Sequence, residues 1–287
     1  MFIIQDKIFF MKSKIAIVTS GGGMACAYSA GALFALSKEH KIEEPEILVG
    51  SSGSAGSLAY FCAGQHESIK NVWIKHMLNK NIINFFRFNK IVDIDYIIDE
   101  IARNIEPLDT KKIKDSKTKL FISATNYRTG IVEYFSGKED KEILFEALKA
   151  SKAIPIAYNK KIKIGEDYYI DGEIGSPIEK SIEKAIKEGA NKIIVINNST
   201  ESKVAGLLFK FYSLFVNFNL RNAISRNIEG LLKNEENIEN VEIIYITPKQ
   251  KLRVKLLDKS EERIKEAFFI GYEDMKNNKE MRGFLMR

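Results

Sequence analysis

The stretch Gly50-Ser51-Ser52-Gly53-Ser54 has the residue types and spacing best suited to chemistry. A serine on a sharp turn between a strand and a helix has its hydroxyl exposed, and small residues must flank it because larger side chains would collide with the turn. Gly50 and Gly53 meet that need for Ser52. The helix that follows points its positive N-terminus at the hydroxyl, which favours the negative charge that develops in acyl transfer. Taken as G-x-S-x-G, Ser52 has its last glycine replaced by Ser54, whereas Ser54 in Ser-Gly-Ser-Ala-Gly lacks the first glycine. Ser52 lies two residues past the strand end, where an elbow belongs, so it is the favoured nucleophile and Ser54 the alternative.

Gly21-Gly22-Gly23 follows the first apolar run. Three residues without side chains let backbone N–H groups converge, and with the Gly53 amide they can hold the oxyanion of a tetrahedral intermediate. A nucleotide phosphate loop is the competing reading, and it fails in detail. Cys26 replaces the third glycine of G-x-G-x-x-G, and no G-x-x-x-x-G-K-[ST] occurs.

The chain has three histidines, His40, His66 and His76, and none later. A serine base from the rest of the chain must therefore be a carboxylate in direct contact with the hydroxyl. Asp171 in YYIDGEIGSP, at the end of a short predicted strand with Gly172 beside it, is the candidate. An ordinary aspartate, with a pKa of about 3.9, is a weak base, so it needs a partly desolvated site. Taken alone, Asp-Gly also reads as a plain turn.

The elements that must position these residues follow from periodicity and turn chemistry. KIAIVTS reads as a buried strand, SGGGM as a loop, and the run from Ala25 to His40 as a helix with Ala27, Ala30, Leu33 and Phe34 on one face. After Pro45, EILVG is a second strand and AGSLAYFCAG a second helix, the spacing of parallel strands joined by a crossover helix. The segment from about Glu67 to Asp115 reads as helical cover. KLFISATN and IVEYFSG are strands about a turn at Arg128-Thr129-Gly130, and 141–150 is a short helix. KIKIGEDYYIDG is a hairpin about Gly165. A helix over 177–188 ends at Gly189, and NKIIVIN and VEIIYIT are further strands. Asp258 and Glu261 form a capping box for a closing helix that runs to about Asn277. The fold class is α/β, with residues 1–13 as an extension and 14–287 as one domain.

Composition bounds the class. With 45% hydrophobic and 29% charged residues and 5 prolines among 287, the chain is neither disordered nor collagen-like. No apolar run approaches the ~20 residues of a membrane-spanning helix. MFIIQDKIFF is not a secretory signal, because Gln5, Asp6 and Lys7 interrupt it, and Met11 is an alternative start. Cys26 and Cys62 cannot make a disulfide framework, which points to a reducing, cytoplasmic setting, and both read as buried small hydrophobes. The formal charge of +6 suits anionic partners such as phospholipid surfaces.

Together, SGGGMACAYSAGAL, VGSSGSAGSLAYFCAG, EALKASKAIPIAY, YYIDGEIGSP and EGANKIIVIN, in this order, resemble the patatin-like phospholipase family, to which cytosolic phospholipase A is related. The resemblance spans residues 14 to about 200. It implies a three-layer αβα sandwich with a mainly parallel sheet. It also implies a Ser-Asp dyad that hydrolyses lipid esters, phospholipids or lysophospholipids, through an acyl-serine intermediate, in lipid degradation. The family's nucleophile falls on Ser52, its aspartate on Asp171, and its oxyanion loop on Gly21, Gly22 and Gly23. Ala25 and Cys26 depart from the family's Arg or Lys followed by Gly, and Glu173 stands where Gly or Ala usually follows Asp-Gly. A non-catalytic lipid- or acyl-binding module on the same fold is the alternative.

Leu207, Leu208, Phe209, Phe211, Leu214, Phe215 and Phe218, with Lys203 and Lys210, suit an acyl channel or a face towards anionic headgroups, although a core helix is the more frequent explanation for such a stretch. No cofactor is expected. His66 and His76 lack the ligand spacing of a metal site. Lys111, Lys112, Lys114, Lys117 and Lys119 read as a solvated face without the aromatic interleaving of nucleic-acid binding.

Overall fold

The computed structural model describes residues 13–175, 178–198, 213, 216–230 and 241–286. Met11, Lys203, Leu207, Leu208, Phe209, Lys210, Phe211, Leu214 and Phe215 lie outside the described residues. Among the described residues, eight strands form one sheet: β1 Ile15–Thr19, β2 Ile47–Gly50, β3 Lys119–Asn126, β4 Val132–Ser136, β5 Ile162–Ile164, β6 Asp167–Asp171, β7 Lys192–Ile196 and β8 Glu242–Ile246. Hydrogen-bonded neighbours run β5-β6-β3-β2-β1-β7-β8, with β4 also on β3. The five strands from β3 to β8 in that order are parallel, and the β4, β5 and β6 pairings are antiparallel.

Alternation along the strands divides the core in two, because successive side chains leave opposite faces of a sheet. Ile17, Leu48, Ile194 and Ile196 pack on one face against α1 (Cys26–Glu39), α2 (Ser52–Cys62), α3 (His66–Ile74) and the helices Lys141–Lys152 and Glu261–Lys276. Ala16, Val18, Ile47, Val49, Ile193 and Val195 pack on the other against Ile182 and Ala185 of the helix Ile178–Lys187. The result is three layers.

Helix α1 is buried around its whole circumference from Cys26 to Ser37, not on one face as its apolar spacing predicts. Its small residues allow the helix Glu261–Lys276 to cover its outer side. At Gly31 an added Cβ would lie 1.8 Å from the Phe268 carbonyl oxygen, and at Gly271 it would lie 2.0 Å from that of Tyr28. The two backbones meet at this crossing. Gly31→Ala is expected to cost about 2–3 kcal/mol in urea unfolding, because the helices must separate. Gly283→Ala, where a Cβ meets nothing within 4 Å, is expected to be neutral or slightly stabilising.

Two local expectations are corrected. The cover segment is helical only in part: α3 is followed by a short 3-10 turn, irregular chain over 79–93, a helical start at Ile94 that continues as a π-helical run Tyr96–Ile105, and a short helix Thr110–Asp115. Asparagines interrupt it, since the Asn79 side chain accepts from the Asn81 amide and the Asn84 side chain from the Phe86 amide. At the closing helix the cap is Ser260, whose hydroxyl accepts from the Arg263 amide, instead of an Asp258-Glu261 box. Asp258 instead accepts from the Lys255 and Ser260 amides and pairs with Arg263.

Candidate active site

Sheet register explains how Ser52 and Asp171, 119 positions apart, come together. β2 pairs with β3 from Lys119 to Ile122, and β6 pairs with β3 from Ala124 to Asn126. β4 overlaps both of these stretches on β3, so it occupies one edge while β2 and β6 share the other. β2 and β6 run towards each other along that edge. β2 ends with Gly50 opposite Ile122, and β6 ends with Asp171 opposite Ala124. The chain after Gly50 and the side chain of Asp171 therefore meet in the gap.

Ser52 opens α2 with φ +51, a left-handed conformation that a non-glycine residue adopts at a cost. The surroundings hold it there. Its amide donates to Ser151 Oγ at 2.8 Å, and its carbonyl accepts from Lys152 Nζ at 2.9 Å. Its hydroxyl donates to Asp171 Oδ2 at 2.8 Å. The other oxygen of Asp171, Oδ1, accepts from the Glu173 amide at 2.9 Å. Ser52 is 3% exposed and Asp171 2%. Burial pushes the Asp171 carboxyl up to about 7, against the hydrogen bonds and the nearby Lys152 charge that pull it down.

Ser54 faces the other way. Its hydroxyl is fully buried, donates to the Ser20 carbonyl at 2.7 Å and touches Ser29 Oγ at 2.7 Å. The three histidines are engaged elsewhere, His40 on the Met275 carbonyl, His66 edge-on to Phe61, and His76 against Glu106. Burial pushes the thiols of Cys26 and Cys62 up to about 12 and about 11, so neither supplies a thiolate.

The glycine loop is oriented from behind by Asn198, just past the end of β7. Its Nδ2 donates to the carbonyls of Ser20 at 2.9 Å and Gly21 at 3.0 Å, and its Oδ1 accepts from the Ser29 amide. In a trans peptide the N–H points opposite to the C=O. Holding these carbonyls inward therefore turns the Gly21 and Gly22 amides outward. Ala25 likewise donates to the Gly22 carbonyl, and the Lys152 bond to the Ser52 carbonyl sets the Gly53 amide in the same way.

The Gly21 amide is already taken, since it donates to Glu173 Oε1 at 2.6 Å, and that oxygen also accepts from the Ser51 hydroxyl. Loss of hydration raises the Glu173 carboxyl above its usual range. Gly22, Gly23 and Gly53 have no backbone partner for their amides among the described residues.

From Ser52 and Gly53 a cavity of about 860 Å³, mouth included, extends between Trp73, Met77, Ile98, Leu108, Leu148 and Ile154. Trp73 turns its one polar atom aside, donating to Ser57 Oγ at 2.9 Å. Lys152 is the cation in this wall, 8% exposed, and burial pushes its ammonium down to about 8.

Residue reading alone does not single out Lys152, Ser151, Asn198 or the contacts of Glu173. Lys152 has a signal that could have found it. It falls four residues after Leu148 and seven after Phe145, on the apolar face of its own helix.

The Patatin-like phospholipase model matches residues 17–180, a range that includes the glycine loop, Ser52 and Asp171. The chain belongs to the patatin-like phospholipase family. Among solved structures it is similar to VipD from Legionella pneumophila, with a TM-score of 0.49 and 14% identity, over 96% of this chain and 67% of that one. It is also similar to human GIVD cytosolic phospholipase A2 in complex with methyl gamma-linolenyl fluorophosphonate, with a TM-score of 0.48 and 10% identity, over 96% of this chain and 58% of that one. No curated protein sequence matches the chain. No described helix is long and apolar enough to cross a membrane.

Proposed function

We propose that this chain hydrolyses lipid esters, phospholipids or lysophospholipids, with Ser52 as nucleophile and Asp171 as its base. The observation that carries the reading is the 2.8 Å hydrogen bond from Ser52 to Asp171 at the head of an apolar cavity. Asp171 takes the hydroxyl proton as Oγ bonds to the ester carbonyl carbon. The charge that develops on the carbonyl oxygen meets the amides of Gly22, Gly23 and Gly53. Collapse breaks the ester bond, and the proton passes from Asp171 to the departing alcohol. Asp171 then deprotonates water, which attacks the acyl-serine, and the fatty acid leaves as the proton returns to Ser52. The cavity wall supports an acyl chain lying on the Trp73 and Met77 side of Ser52.

A lipid-binding module without hydrolysis is favoured by one observation, the Gly21 amide already occupied by Glu173. An alkyl fluorophosphonate separates the two readings. Wild type and Ser54→Ala are expected to gain the mass of one phosphonyl group, and Ser52→Ala none. An unlabelled wild type, or labelling that survives Ser52→Ala, overturns the dyad.

A further inference from the structure

We propose that the loop Asn84–Asn89 docks this protein onto an anionic lipid bilayer by inserting its phenylalanines. The inference builds on the lipid-ester reading but stands on a separate part of the molecule. Phe85, Phe86 and Phe88 are 53%, 90% and 88% exposed. Water-facing phenyl rings grouped on one short tip mark a contact surface, whereas single exposed apolar residues do not.

The tip is built to hold them outward. Arg87 folds back beneath it, donating to the carbonyls of Asn81 at 2.7 Å and Ile82 at 3.1 Å and pairing with Asp93 at 2.9 Å. The Asn84 amide donates to the Ile91 carbonyl at 2.8 Å, the Arg87 amide to that of Asn84, and the Lys90 amide to that of Arg87. Isoleucine and valine at the loop's base, Ile83 and Val92, form an isolated antiparallel bridge. The guanidinium thus anchors the loop from inside, and the rings are presented without further ordering on binding.

Charge decides the occupant. From Lys75 to Val92 the sequence has four basic residues, Lys75, Lys80, Arg87 and Lys90, and no acidic one. Asp93 and Asp95, the next acids, are engaged by Arg87, Lys90 and Lys160. Lys80 is exposed and makes no ion pair among the described residues. Exposed aromatic rings in a basic stretch without acids fit the boundary between anionic headgroups and acyl chains. The same loop continues into the active cavity, since Ile83 and Val92 line the wall that leads to Ser52. A bilayer under the tip therefore lies beside the cavity that would receive its lipid.

The test is co-sedimentation of the full chain, in the Ser52→Ala background, with phosphatidylcholine vesicles with and without phosphatidylglycerol. Binding is expected on the anionic vesicles, reduced about tenfold or more by Phe86→Ser with Phe88→Ser together. Lys80→Glu is expected to reduce it a few-fold, and the remainder to lose salt sensitivity. With Ser52 intact, the double variant is expected to keep wild-type activity on a water-soluble p-nitrophenyl ester and to lose it on vesicles. Unchanged vesicle partition in the double variant overturns the proposal. So does a change in its sedimentation velocity without lipid, which would make the occupant a second copy of the chain. Vesicle binding by a chain that cleaves no ester sinks the hydrolase reading and leaves the docking surface standing.

Discussion

Asp171→Asn is expected to lower kcat for a soluble ester by about 10²–10⁴-fold, the range for loss of a positioned base. The substitution keeps the shape of the side chain. Its amide oxygen can still accept from the Glu173 amide where Oδ1 does now, so the folded state is expected to survive and KM to change little. What is lost is the ability to take a proton. The amide NH2 then faces Ser52, so the hydroxyl accepts the hydrogen bond it now donates.

The same residue sets the pH profile. Because burial holds the Asp171 carboxyl at about 7, the base is protonated and idle below that pH and ionised above it. kcat/KM is expected to rise roughly tenfold per pH unit up to about 7 and then level. The Lys152 ammonium favours the ionised carboxylate, so Lys152→Met is expected to move this limb to higher pH. A limb near pH 4 in wild type, or one that Lys152→Met moves downward, would contradict the assignment of the base.

Much of the frame is legible in the sequence where its cause is local. The strand, glycine loop and helix from Lys14 to Glu39 follow from a short apolar run, a glycine triplet and helical spacing, and the hairpin from Ile162 to Asp171 from two short strands about a glycine with positive φ, Gly165 at +62. Ser52 and Asp171 are singled out by residue type and by where histidine is absent. Their meeting is not legible, because it depends on β2 and β6 sharing one edge of β3, a pairing between distant segments that no local pattern encodes. The same holds for Asn198, which acts on a loop 177 positions away. Local competition also misleads, as in the asparagine-rich 79–93 segment, where side chains satisfy the amides a helix would use. Of the residues read as an acyl channel or headgroup face, Lys203, Leu207, Leu208, Phe209, Lys210, Phe211, Leu214, Phe215 and Phe218, all but the exposed Phe218 lie outside the described residues.

Gly53→Ala is expected to reduce kcat by about 10²–10³-fold, as large as the loss of one oxyanion donor. A Cβ on Gly53 would lie 2.8 Å from Cys26 Sγ and 2.9 Å from the Gly23 carbonyl oxygen. Cys26 is fully buried in the core and cannot swing away, so the strain falls on the glycine loop. That loop is pinned on its far side by Asn198, which turns a push of a few tenths of an ångström into a tilt of the Gly22 and Gly23 peptides relative to Ser52. Misplacement on this scale is enough to lose most oxyanion stabilisation while the fold persists. Gly56→Ala supplies the contrast one turn along α2, where a Cβ meets only the end of the Lys152 side chain at 3.3 Å, and less than a fivefold change is expected. The rate of fluorophosphonate labelling separates the explanations, because phosphonylation passes through the same negatively charged geometry. It should fall with kcat in Gly53→Ala, whereas an unchanged labelling rate would mean that Gly23 and Gly53 do not hold the oxyanion.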